Sequence, residues 1–218
     1  VAGVLYVNDS QATIPLAAMA ALEAFPERGR VLIAAESTGR REAMLDLLKG
    51  RGKRVTAEIT IPRDVMINNL RISPPQMHYG QGISTLAALL TNSSNNAAHP
   101  ANGLAALYLA TGQDIANIGE SNQCTTYNKV TREGDYYFSI TMPAIIMATY
   151  GGGTALPTQR ECLEIMDCFG KGKAMKLAEI AAGLVLAGEL SLGAATRIDK
   201  DTRKNEWVDA HERLGRNR

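Results

Sequence analysis

Aromatic side chains are scarce in this 218-residue chain: phenylalanine, tyrosine and tryptophan together make up 5% of it. Trp207 is the single tryptophan. A surface that stacks unpaired bases needs successive aromatic platforms. The near balance of 23 basic against 22 acidic residues also removes the bulk charge that draws proteins to polyanions. Nucleic acid is therefore not expected as a partner. Cysteine is equally sparse. Cys124, Cys162 and Cys168 are odd in number and stand at no metal-ligand spacing, so neither a disulfide scaffold nor a structural zinc site is expected, and the three read as core or free thiols. Long apolar runs are missing too: residues 103–110 and 180–188 fall short of the roughly 18 residues that a membrane span needs. No leader pattern precedes Val4-Leu5-Tyr6-Val7, a segment with the character of a fold interior. The expectation is a soluble, reduced, cytoplasmic protein with no membrane span, entered partway, with sequence missing upstream of Val1.

What is present is the composition of a folded domain, 45% hydrophobic and 21% charged, with 20 glycines. On length it holds one large domain, or one domain and a piece of another, of α/β or α+β class. Along the first third the expected order is β-α-β-α-β: strands at 1–8 and 30–35, helices at 14–25 and 40–49, and a strand in which Val55, Ala57, Ile59 and Ile61 alternate with polar residues. A short helix at 64–70 precedes a break at Ser73-Pro74-Pro75. A helix at 83–91 lies between the loop-like flanks Gly80-Gln81-Gly82 and Asn92 to Asn96. Pro100 to Ala110 has proline in its first turn and Gly112 just after it, as helices prefer. Two strand-like runs, 135–142 and 145–150, are separated by Pro143. Helices follow at about 157–168 and 173–195, then a charged tail at 197–206 and a last helix near 205–214.

Several residues have the chemistry of a site. Asp114 sits just past a helix C-terminus, where the helix dipole opposes its charge, a placement that suits a proton-transfer carboxylate and equally a solvated loop residue. His99 and Asn102, three apart, share a face at the start of the same helix. Near the chain end, His211 carries an imidazole that titrates near neutrality, suited to protonating a leaving group or to a basic surface. Gly151-Gly152-Gly153-Thr154 follows a strand and can bring backbone N–H groups against a phosphate or a flat ring, although its spacing matches neither a Rossmann fingerprint nor a P-loop. Arg40, Arg41, Lys49, Arg51, Lys53 and Arg54 concentrate positive charge around Gly50 and Gly52, either for a carboxylate or phosphate or as a solvated face. Glu189 lies among small and apolar residues, either paired or exposed on a stripe.

Taken in order, Lys49-Gly50-Arg51-Gly52-Lys53, His99-Pro100-Ala101-Asn102, Gly112-Gln113-Asp114, Thr141-Met142-Pro143, Gly151 to Thr154, Ala187 to Leu192 and Ala210-His211 give a pattern. From about residue 14 onward the chain resembles the C-terminal half of the catalytic unit of the 3-hydroxy-3-methylglutaryl-CoA reductase family, class I kind. The resemblance implies an α+β fold: the C-terminal part of a ferredoxin-like cofactor domain over residues 1–35, then a helix-rich large substrate domain over 36–218 with a mobile C-terminal segment. It implies NADPH-dependent reduction of a CoA or carrier thioester, giving mevalonate and free CoA in the family, and a site at an oligomer interface with no metal. Asp114 and His211 fall on the proton-handling positions, His99 and Asn102 on substrate-pocket positions. Gly151, Gly152 and Gly153 fall on the turn beside the nicotinamide, and Asn8 on the asparagine of the cofactor motif.

Departures from the family pattern are equally specific. The catalytic lysine is replaced by Arg40, which stabilises an oxyanion but does not readily donate a proton near neutrality. The acidic residue before it aligns with Gly39, and the family's second lysine, which holds the substrate carboxylate, would fall near Gly82, where none is present. Tyr6 stands where the family leaves room for the cofactor pyrophosphate, and Gly3 where the cofactor motif has an aspartate. The catalytic glutamate would lie upstream of Val1 or on a second polypeptide, making a homo-oligomer or hetero-oligomer the expected assembly. Two alternatives stay open: a related scaffold with altered, non-redox thioester chemistry, and a regulatory or structural subunit.

Overall fold

The computed structural model describes residues 51–93 and 95–197. Those residues form an α+β unit. Strand β1, Lys53–Ile61, pairs antiparallel with β3, Tyr136–Ile145, and β3 pairs antiparallel with β2, Thr125–Val130, in the order β1-β3-β2. Period-two alternation places Tyr136, Phe138, Ile140 and Met142 of β3 in the core. On β1 the same alternation buries Val55 and Ile61 and leaves Ile59 partly exposed at the sheet edge.

The helices are α1 (Arg63–Val65, running into a π-turn at Met66–Leu70), α2 (Pro74–Leu90), α3 (Pro100–Thr111), α4 (Ile118–Ser121), α5 (Pro157–Ile165) and α6 (Ala174–Thr196). Helix α6 packs on β1, β3, α3 and α2. It buries Leu177, Ala178, Ala181, Ala182 and Val185, and the small residues let its backbone approach the sheet closely. Length and apolar composition alone would let α6 cross a membrane, against the expectation of no such run. In this fold it is a core helix.

Three further expectations are corrected. Helix α2 starts at Pro74 and runs through the glycine-bearing stretch Gly80-Gln81-Gly82, against the expectation of a loop there. Proline at the first helical position starts a helix as readily as it breaks one. Gly80 is there for space, since a Cβ on it would lie 2.1 Å from Arg197 Nε. Second, β3 is one continuous strand through Pro143, and 146–150 is not a strand. The missing N–H is tolerated because β2 pairing ends at Thr141 and the register against β1 shifts there, with Pro143 and Ala144 opposite Arg54. Third, β2 was not anticipated, although Thr125-Thr126-Tyr127 carries strand-favouring side chains.

Helix α3 ends as expected, with Gly112 left-handed at φ 68°. Cys124 and Cys168 are buried and Cys162 half-buried, all three free. The expected elements at 1–8, 14–25, 30–35, 40–49 and 205–214, the 1–35 cofactor-domain remnant with its ferredoxin-like fold, and the C-terminal segment lie outside the described residues.

Candidate active site

Two loops meet at one end of α3. Gly112 turns the chain out of the helix, and a Cβ there would lie 2.4 Å from the Gly153 carbonyl oxygen; a Cβ on Gly153 would lie 2.8 Å from Gly112 O. The two glycine loops therefore touch backbone to backbone, which only residues without side chains allow. Gln113 locks the contact from the other side. Its Nε2 donates to Ala148 O at 2.8 Å and its Oε1 accepts from Ala148 N at 2.7 Å, so one amide replaces a missing strand partner. The Thr154 hydroxyl donates to Gly151 O at 2.7 Å and closes the Gly152–Ala155 turn.

Asp114 is exposed, and its carboxylate accepts the Ala116 N–H at 3.0 Å as the cap of a short 3₁₀ turn, Ile115–Asn117. The sequence reading weighed only the helix behind it. The turn ahead supplies a backbone donor to the carboxylate.

A cavity of about 670 Å³ opens over these loops, lined among others by Tyr108, Gln113, Asp114, Tyr150, Gly151 and Gly152. Tyr108 forms the inner wall. Its hydroxyl donates to Ile146 O at 2.8 Å and lies 2.8 Å from Ser121 Oγ, and burial pushes its pKa up. Gly151 and Gly152 hold φ of 86° and 58°, and no atom lies within 4 Å of where a Cβ would sit on either. The turn is therefore open on the side where side chains would stand.

His99 and Asn102 are at the other end of α3, a 12-residue helix and hence about 18 Å long. The structure therefore does not bring them together with Asp114. Asn102 is exposed. The His99 ring packs between α3 and α6, where a Cβ on Gly103 or Gly188 would collide with it at 2.6 and 2.1 Å, and its buried Nδ1 has no hydrogen-bond partner among the described residues. Beside it Glu189, 6% exposed, accepts the Ala98 N–H at 2.7 Å and also the His99 N–H. Of its two sequence readings, the paired one holds.

The basic cluster is partly spent on the protein itself. Arg51 forks onto Glu120 at 2.7 and 2.8 Å, and Lys53 Nζ donates to Met147 O at 3.0 Å. Arg40, His211 and Asn8 lie outside the described residues. Gln113 is the contributor the sequence reading passed over, standing inside a motif read for its aspartate.

The α+β unit thus holds a cavity floored by glycine backbone and rimmed by one carboxylate. Residues 11–216 match the family model described as hydroxymethylglutaryl-coenzyme A reductase, and the chain belongs to that family. It is 43% identical over 180 residues to the 3-hydroxy-3-methylglutaryl-coenzyme A reductase of Pyrococcus abyssi, covering 79% of this chain and 42% of that protein. It is 39% identical over 180 residues to the enzyme of that name from Methanothermobacter thermautotrophicus, covering 82% and 44%. With the one from Strongylocentrotus purpuratus it shares 37% over 171 residues, covering 72% and 18%. The chain thus spans less than half the length of these relatives.

Proposed function

We propose that the chain forms part of the active centre of a hydroxymethylglutaryl-CoA reductase that reduces a CoA or carrier thioester with NADPH. The observation that carries this reading is the backbone contact of Gly112 with Gly153, which joins the Asp114 loop to the glycine turn in one cavity. Gly151, Gly152 and Gly153 would hold the nicotinamide, which supplies hydride when bound. Asp114 handles the proton at the reacting carbonyl oxygen, Arg40 contacts that oxygen as a fixed cation, and His211 protonates the departing thiolate. His99 and Asn102 belong to the wall of the substrate pocket. The test is to mix the chain, with any co-encoded partner, with NADPH and hydroxymethylglutaryl-CoA. Loss of NADPH absorbance with stoichiometric thiol release is expected, and Asp114→Asn should cut it by about 100-fold or more. Neither signal appearing would overturn the reading.

A second reading is favoured by Arg40 and Tyr6: a related scaffold doing non-redox thioester chemistry or acting as a regulatory subunit. NADPH titration by fluorescence separates the two, since micromolar binding contradicts the second. His211→Ala leaving an assembly's turnover unchanged would support the regulatory version.

A further inference from the structure

Residues 51–53, in the basic cluster around Gly50 and Gly52, reach three separate elements around the cavity. Gly52 has a φ of 98°, and a Cβ on it would lie 2.5 Å from Ile145 O, so the chain runs hard against the end of β3. Lys53 stands opposite Ile145 in the sheet, and its Nζ donates at 3.0 Å to the carbonyl of Met147, on one wall of the cavity. Arg51 turns the other way. Its Nε and Nη2 donate to the two carboxylate oxygens of Glu120 at 2.7 and 2.8 Å, and Nη2 lies 3.4 Å from Asn117 Oδ1. Asn117 lines the same cavity.

The segment that Arg51 grips has little packing of its own. It consists of the 3₁₀ turn Ile115–Asn117, in which no residue is buried, and the single helical turn α4. Elements this short are not stable by their own hydrogen bonds, and a turn without buried side chains opens locally at low cost. Ile118, partly buried against the core, and Ser121, whose Oγ accepts the Ile146 N–H at 2.9 Å, anchor α4 from the inside. From the outside the anchor is Glu120, which receives the Arg51 fork. Asp114 caps the 3₁₀ turn, so its carboxylate goes where that turn goes. A bidentate guanidinium–carboxylate contact fixes direction as well as distance.

We propose that Arg51 is a positioning residue for Asp114, holding the 114–121 segment against the cavity through Glu120 and Asn117. Gly52 and Lys53 fix Arg51 to β3 and to Met147, so the fork joins the wall that carries Asp114 to the wall at Ile146 and Met147. The separation of the two walls is set by that joint. The proton role of Asp114 rests on the reductase reading; the mooring of its turn does not. The Arg51 side chain is 68% exposed, and an exposed ion pair contributes little to global stability. Its effect is on placement, where a displacement on the order of 1 Å can cost about 100-fold in rate.

The experiment compares the full wild-type chain with Arg51→Gln, Glu120→Gln and the exchanged pair Arg51→Glu/Glu120→Arg. Backbone hydrogen exchange is measured on each, and steady-state kinetics with NADPH and hydroxymethylglutaryl-CoA, with any co-encoded partner present. In each single variant the amides of residues 115–122 should exchange at least about fivefold faster, while those of β3 keep their rates and so report an intact fold. The kcat should fall about tenfold or more with KM for either substrate within about twofold, and the melting temperature should move by no more than about 2 °C. The exchanged pair rebuilds the contact with its charges reversed and should recover most of both losses. Unchanged exchange over 115–122 in both single variants, losses that appear in KM rather than kcat, or an exchanged pair no better than the single variants would overturn the proposal. A wild-type chain without turnover whose Arg51→Gln variant still loosens 115–122 refutes the proton role of Asp114 alone. Wild-type turnover with a kcat indifferent to Arg51→Gln refutes the positioning role alone.

Discussion

Glu189 shows how one side chain organises a helix start. It is 6% exposed and accepts two N–H groups, from Ala98 and His99, that α3 cannot satisfy itself. Glu189→Ala removes the acceptor that both donors share, at about 1 kcal/mol per hydrogen bond, whereas Glu189→Gln keeps the acceptor and should lose less; urea denaturation of the two variants measures the difference. The same carboxylate, after burial itself, holds the Cys124 thiol up at about 12, which keeps it inert. Asp167 behaves differently, on the surface. Lys173 at 2.6 Å and Lys176 at 2.9 Å push its pKa down from 3.8 to about 2. A carboxylate lowered on folding adds stability that is complete above its unfolded pKa and lost as pH falls through the folded one. Asp167→Asn should therefore flatten the fall of melting temperature between pH 3.8 and about 2 and change little at neutrality. Because the side chain is exposed, the effect is small.

At the scale of elements, legibility depended on how much of the pattern was local. Alternation of Val55, Ala57, Ile59 and Ile61 identified β1, and Pro100 with Gly112 bracketed α3 to within a residue. Gly80 and Gly82, with the prolines before them, hid the first nine residues of α2, because glycine signals a loop from sequence, whereas Gly80 here marks the passage of Arg197. Pro143 split β3 on paper for a similar reason, since only the register with β1 and the end of β2 reveal that no ladder bond is lost. In the site, Gly112-Gln113-Asp114 and Gly151 to Thr154 were both legible as motifs, but their contact was not. Gly112→Ala tests that contact. The left-handed φ of 68° and a Cβ 2.4 Å from Gly153 O should cost about 1–3 kcal/mol, and turnover should fall further than stability because the cavity floor moves. Denaturation and steady-state kinetics on one preparation separate the two.

Across the whole molecule, α6 ties the parts together. It packs against the sheet through β1 and β3 and against α3 and α2, carries Glu189 to one end of α3, and ends at Arg197, which donates to Gln81 of α2. Leu177 is fully buried on its sheet-facing side, and Leu177→Ala should cost about 2–5 kcal/mol. If α6 is the common core, unfolding followed by far-ultraviolet dichroism and by tyrosine fluorescence should shift together in that variant. Separate transitions would show that the sheet and the helices melt independently.

The sequence by itself determined the α+β class, most helix positions, the glycine and carboxylate motifs and the family, because each of these lies in contiguous residues whose spacing is local chemistry. Only the tertiary structure decided which motifs share a cavity. It set Asp114 with Gly151 and Gly152, and His99 a helix length away with Glu189. It also turned Arg197 from a tail charge into an oriented donor. Those placements rest on contacts between residues 35 to 120 positions apart, Ala148 with Gln113, Met77 with Arg197 and Ala98 with Glu189 among them. Contacts of that range arise when the chain packs, and no local pattern encodes them. The scarcity of aromatics follows the same logic: small residues on α6 and glycines at the loops permit the backbone approaches on which the fold and its cavity are built.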